Sequence, residues 1–216
     1  MSRTTCVIVD DHPAIAQAVE TVFASSSVSL VGKARGVKDG LSTLSELKPD
    51  VALVDLRLAD GDGFEVIREL REVSPDTRAV VFTGLGDRAS LLRAMDLGVD
   101  GFVLKEAPLE ELLRAVTVAA RGGTYIDPMI ARELTKAGGD PAPRLTEREW
   151  EILRLLARGS GNDEIGKALF ISPATVRTHL RNAMEKLGAS TRAQAVAIAF
   201  ADSRIAGTSE SKRRGA

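Results

Sequence analysis

Two rhythms of apolar and polar positions alternate over the first 122 residues. Short apolar runs rich in β-branched residues, CVIVD (6–10), VSLVGKA (28–34), VALVD (51–55), AVVFT (79–83) and GFVLK (101–105), are separated by longer stretches. In those stretches apolar residues recur every three or four positions, the helical period. Nearly continuous apolar strands are buried on both faces, so the pattern predicts an α/β doubly wound five-stranded parallel sheet covered by helices. The functional crevice of such a sheet lies at the carboxyl ends of its strands.

The rhythm breaks at 123–144, where Gly123, Gly138, Gly139, Pro141 and Pro143 interrupt regular structure. This stretch reads as a linker with one short helix over 128–136. From Leu145 the helical period returns without strands, and local signals punctuate it. Thr146 and Glu149 have capping-box spacing, Gly159-Ser160-Gly161-Asn162 ends a first helix, and a second follows to Leu169. Ser172-Pro173 opens a third, which Gly188 stops, and Thr191 and Gln194 open a fourth. The prediction is a C-terminal all-α four-helix domain over 145–202, then a disordered tail over 203–216.

Composition adds a charge contrast. Residues 1–122 hold 19 acidic and 14 basic side chains, whereas 145–216 hold 8 acidic and 12 basic. Opposite signs in the two halves point to different partners, with nucleic acid suiting the basic half. They also suggest that the acidic half lies against the basic one and covers Arg177 and Arg181. A single cysteine, Cys6, excludes an internal disulfide framework, and no apolar run approaches the ~20 residues of a membrane span. A cytoplasmic protein with no membrane partner is expected.

Asp10 and Asp11 close the first strand, Asp55 the third, Thr83 the fourth and Lys105 the fifth. A parallel sheet gathers all five at one edge. Crowded carboxylates repel one another unless a proton or cation joins them, and hard oxygen ligands suit Mg2+. An ammonium and a hydroxyl facing the same point complete a cage for a phosphoryl group.

The motifs VDDHP (9–13), LVDLRLADGDGFE (53–65), VFTG (81–84) and GFVLKEAP (101–108) resemble the receiver domain of bacterial two-component response regulators, a flavodoxin-like fold. The resemblance implies that Asp55 accepts a phosphoryl group from a sensor histidine kinase. Asp11 and Asp55, Asp10 through water, and the backbone carbonyl of Arg57 would hold Mg2+. Lys105 would pair with the phosphate, and Thr83 would swing toward it. Phe102 matches the switch aromatic of receivers and reads equally as a core residue. Two positions depart from the pattern: Ala59 stands where many receivers have proline, and Ala14–Gln17 lacks a common arginine.

Residues 145–200 resemble the LuxR-type helix-turn-helix of the NarL/FixJ class. In the third helix Val176, Leu180, Ala183, Met184 and Leu187 share one face, leaving Arg177, Thr178, Arg181, Asn182 and Glu185 on the other. Such a helix enters a major groove, where arginine reads guanine edges or grips phosphates. Thr175, Arg177, Thr178 and Arg181 match the family's contacting positions, with Thr175 and the helix start suited to a phosphate. The chain is thus expected to be a transcription factor, with promoter DNA and RNA polymerase as partners. A homodimer forming on phosphorylation would use the fourth-helix face of Ala193, Val196, Ala197 and Phe200, a face that reads equally as intradomain packing.

Two other classes share part of this pattern. Haloacid dehalogenase-type phosphohydrolases share the Asp, Mg2+, Thr and Lys set. They carry an acid two residues after the nucleophile, however, and here that residue is Arg57; an enzyme is therefore not expected. A ligand-sensing regulator would share the helix-turn-helix but lack the aspartate set. His179 reads as a packing or phosphate-contacting residue, Trp150 as core, and Gly166 as either a close helix crossing or without consequence.

Overall fold

A computed structural model of the chain describes residues 3–84, 88–135 and 145–201. The tail expected over 203–216, the end of the linker and the side chain of Phe200 lie outside the described residues. Strands β1 (Thr4–Val9), β2 (Val28–Ala34), β3 (Val51–Val54), β6 (Arg78–Thr83), β7 (Gly101–Leu104) and β8 (Tyr125–Ile126) form one parallel sheet in the order β2-β1-β3-β6-β7-β8. Helices α1 (Pro13–Ala24), α2 (Val37–Leu47), α3 (Gly63–Val73), α4 (Arg88–Asp96) and α5 (Leu109–Ala120) connect and cover it.

The sheet has six strands, one more than the sequence pattern suggested. Tyr125 and Ile126, within the stretch read as linker, pair with Gly101 and Phe102. Two residues are too short for a period-two signal, and their pairing depends on the preceding turn returning the chain to the sheet edge. A two-residue hairpin, β4 (Arg57–Leu58) with β5 (Gly61–Asp62), was also not anticipated. Ala59 falls in its turn, so the loop after Asp55 is organised by strand pairing and not by a proline.

Successive strand residues point to opposite faces. Cys6, Ile8, Leu53, Val80 and Val103 pack under α1 and α5 with Val19, Phe23, Leu112 and Val116. Val7, Val9, Val54, Val81, Phe102 and Leu104 pack under α2, α3 and α4 with Leu44, Ile67, Leu70 and Leu91. This second cluster continues through Ile126 and Ile130 of α6 (Pro128–Thr135) into the C-terminal domain.

That domain comprises α7 (Glu147–Ala157), α8 (Asn162–Leu169), α9 (Pro173–Leu187) and α10 (Arg192–Ala201) around Trp150, Leu153, Leu156, Ile165, Val176 and Leu180. Its local signals act as read. Thr146 Oγ1 accepts from Glu149 N, and Glu149 Oε2 accepts from Thr146 N at 2.7 Å. Ser172 Oγ accepts from Thr175 N, Pro173 begins α9, and Gly188 ends it in the left-handed region at φ 62°. Gly166 packs tightly against the turn after α8: a Cβ there would come within 2.7 Å of the Ile171 carbonyl oxygen. The close approach is made by the turn that leads into α9, not by a crossing helix.

Candidate functional site

Asp10 follows β1, Asp55 follows β3, Thr83 ends β6 and Lys105 follows β7, so the parallel sheet delivers all four to one edge. Asp10 and Asp55 are buried, and the Lys105 side chain is 13% exposed. Lys105 Nζ lies 2.6 Å from Asp55 Oδ2 and 2.7 Å from Asp10 Oδ2, bridging the two carboxylates. Burial alone would lower the lysine pKa, but the two carboxylates beside the ammonium outweigh it and hold it above its ordinary range. Its backbone N–H donates to the carbonyl of Thr83 at 2.9 Å, tying β7 to β6 beside the pocket. Thr83 and Arg57 line the same pocket as Asp55 and Lys105, whereas Phe102 is wholly buried.

Asp10, Asp11, His12 and Asp55 each offer a ligand atom, all within 4.8 Å of one another. His12, missed by the sequence reading, precedes α1. Its N–H donates to Asp10 Oδ1 at 2.9 Å, and its Nδ1 lies 2.7 Å from Asp11 Oδ1. Asp10 Oδ2 and Asp11 Oδ1 are buried without a well-aligned hydrogen-bond donor, although Lys105 and His12 stand at ion-pair distance. Under-satisfied buried carboxylate oxygens fit a hard divalent cation such as Mg2+.

Below the pocket the hairpin is gripped from α4. Arg93 pairs with Asp62, the N-cap of α3, at 3.2 Å, and its guanidinium lies 4.1 Å from the Phe64 ring centroid. The loop following Asp55 is therefore joined to α4.

In the C-terminal domain α9 buries Val176, Leu180 and Ala183 and exposes Arg177, Thr178 and Arg181. Met184 and Leu187 are partly buried on the apolar side. Thr175 is half-buried in the first turn, its hydroxyl 2.8 Å from that of Ser172. Buried Glu149 accepts two hydrogen bonds from Lys186 Nζ, each 2.8 Å, fastening α9 to the start of α7. Burial would raise the Glu149 pKa, but Lys186 and the Thr146 backbone and hydroxyl reverse this and hold it below the usual 4.5. The sequence reading saw Glu149 as half of a cap; its distant partner gave no local signal.

Residues 6–117 match the family model of the response regulator receiver domain, and residues 143–199 that of bacterial regulatory proteins of the luxR family. The chain belongs to the LuxR-type response regulators. It is 33% identical over 198 residues to the response regulator protein VraR of Staphylococcus aureus, covering 90% of this chain and 95% of VraR. The fold is similar to that of Salmonella typhimurium RcsB, with 29% identity and a TM-score of 0.59 over 91% of this chain and 97% of RcsB. A structure of RcsB dimers bound to DNA aligns at 27% identity and a TM-score of 0.58, covering 92% and 98%.

In this response regulator the two halves meet through α10 and the turn between α7 and α8. Arg177 and Arg181 are exposed, so the acidic half does not cover them as the charge contrast suggested. The attraction falls instead on α10, where Arg192 lies in the field of Asp100 and its Nη1 donates to the Gly122 carbonyl at 3.0 Å. Burial lowers the Arg192 pKa, and the like charges of Arg78 and Arg177 add to this, with Asp100 opposing. Gln194 also donates to Asp96 of α4. Ala193, Val196 and Ala197 are buried, with α10 packing on α6, α7, α9, β8 and α4. Among the described residues no helix is long and apolar enough to cross a membrane.

Proposed function

We propose that Asp55 is the phospho-acceptor through which a sensor histidine kinase controls DNA binding by residues 145–202. The observation carrying this reading is the Lys105 ammonium bridging Asp55 and Asp10 at the carboxyl edge of the sheet. An Asp55 carboxylate oxygen attacks the phosphorus of a phosphohistidine; the P–O bond forms as the P–N bond breaks, and the imidazole leaves. Asp10, Asp11, Asp55 and the Arg57 carbonyl would hold Mg2+, which neutralises charge on the transferring group. Lys105 pairs with the new phosphate, and Thr83 donates its hydroxyl to it. Phe102 follows Thr83 as the core repacks. With Arg57 two residues after Asp55 and no acid there, the site suits a lasting phosphoaspartate rather than hydrolytic turnover.

Arg177, Thr178 and Arg181 enter the major groove of promoter DNA, and Thr175 with the start of α9 holds a phosphate. A homodimer formed on phosphorylation, with α10 as the contact between copies, matches an inverted repeat. RNA polymerase is the partner on which a promoter-bound regulator acts, in the cytoplasm. The domain division expected from the sequence, 1–122, 123–144 and 145–202, serves this reading: an acceptor, a connector and a DNA-binding module. Acetyl phosphate with Mg2+ tests it directly. Labelling confined to Asp55, with a gain in DNA affinity, is expected; labelling elsewhere, or none, overturns it.

A further inference from the structure

Between the two halves, backbone approaches backbone at one stretch of the contact, with the Val118 side chain against Gly159 beside it. The turn after α5, Arg121–Gly123, faces the turn between α7 and α8, Gly159–Gly161. A Cβ on Gly161 would occupy the place of the Arg121 carbonyl oxygen, and one on Gly123 that of the Gly159 carbonyl oxygen. Arg121 and Glu164 flank the seam at 3.7 Å.

Gly161 is the telling position because its own domain does not ask for glycine. Its φ of −77° and ψ of 169° are ordinary extended values, and it is the N-cap of α8. Serine, asparagine and aspartate cap a helix through a side-chain oxygen that glycine lacks. Glu164 accepts from the Gly161 N–H at 3.0 Å, so half of a capping box is already in place. Local energetics favour a side chain; the nearest atom forbidding one belongs to the other domain.

Closure also occupies α10. Ala193, Ala195, Val196 and Ala197 are buried, with α6, β8 and α4 among the packing partners of α10, while Arg192 and Gln194 bond to the receiver. A face so covered cannot meet a second copy, although α9 stays exposed.

We propose that the Gly123–Gly161 seam is a closure determinant. The missing side chain at Gly161 lets the DNA-binding domain seat on the receiver, which withholds α10 from pairing and restrains DNA binding until phosphorylation. This rests on the phosphorylation-controlled reading above. Overpacking at backbone contacts is relieved only by movement, and here the cheapest movement separates the domains.

The test is Gly161→Ser in the full chain, with Gly123→Ala approaching the seam from the other side. Small-angle scattering without phosphodonor should show a larger maximum dimension than the parent. Affinity for a duplex selected from a random pool by the acetyl-phosphate-treated parent should rise about tenfold without phosphodonor. The further gain on adding acetyl phosphate should shrink, and the melting temperature of Gly161→Ser should hold or rise. Scattering superimposable on the parent in both variants, or opening without any gain in affinity, overturns the proposal. A parent whose affinity ignores acetyl phosphate overturns the phosphorylation reading instead, and the scattering comparison still decides the seam.

Discussion

The acceptor pocket and the exposed face of α9 both depend on charged side chains, yet they hold them in opposite ways. Asp10, Asp55 and Lys105 are withdrawn from water, with the ammonium fixed within 2.7 Å of each carboxylate. Arg177 and Arg181 stand in solvent. Withdrawn charges are strongly coupled and finely placed, as transfer of a small, highly charged group requires. Exposed charges are screened until a polyanion displaces their water and counterions, and many weak contacts then add. Loss of one member should therefore be near all-or-none in the pocket and graded on α9.

The sharpest way to break this contrast is Asp55→Asn. It should abolish labelling by acetyl phosphate while leaving the far-ultraviolet circular dichroism of the parent; a labelled variant would move the acceptor elsewhere. Lys105→Ala removes the bridge between two buried carboxylates. The fold should persist, but most of the gain in DNA affinity on phosphorylation should vanish, as titrations with and without phosphodonor would reveal.

On α9 the expected changes are smaller. Arg177→Ala and Arg181→Ala should each cost about 1–3 kcal/mol in binding to a selected duplex. If the lost contact is to a base, affinity for unrelated duplex should fall less, which competition titrations measure. A total loss from either variant would place that arginine with the all-or-none group.

The smallest effect concerns Glu149. Its carboxylate is held below the usual 4.5, so it adds stability that is present above that value and lost as pH falls through its folded pKa. Urea unfolding should find Glu149→Gln weaker than the parent at pH 7, with the gap closing in strongly acidic buffer. An unchanged gap would mean that the Lys186 contact is not what stabilises the charge.

Much of this architecture is written in short stretches of chain. The apolar runs at 6–10, 51–55, 79–83 and 101–105, the Thr146–Glu149 box, the Ser172-Pro173 start and the Gly188 stop are all patterns among neighbouring residues. The residues that end those strands were legible as one cluster because a parallel sheet aligns strand ends by topology alone. Pairings between distant segments left no such trace. Lys105 bridges Asp10 and Asp55, Lys186 reaches Glu149, and His12 stands against Asp11, each through geometry that depends on packing.

Sequence by itself thus determined the two folds, the order of the domains and the gathering of Asp10, Asp55, Thr83 and Lys105 at one sheet edge, because periodicity, caps and strand ends are properties of neighbouring residues. Only the tertiary structure decided that residues 125–126 join the sheet and that the acceptor loop is a hairpin held by Arg93. It also decided that the domains meet on glycine backbone and α10 while α9 stays exposed. Net charge offered an attraction between the halves without a direction. Shape gave the direction, because backbone can approach backbone so closely only where no side chain intervenes.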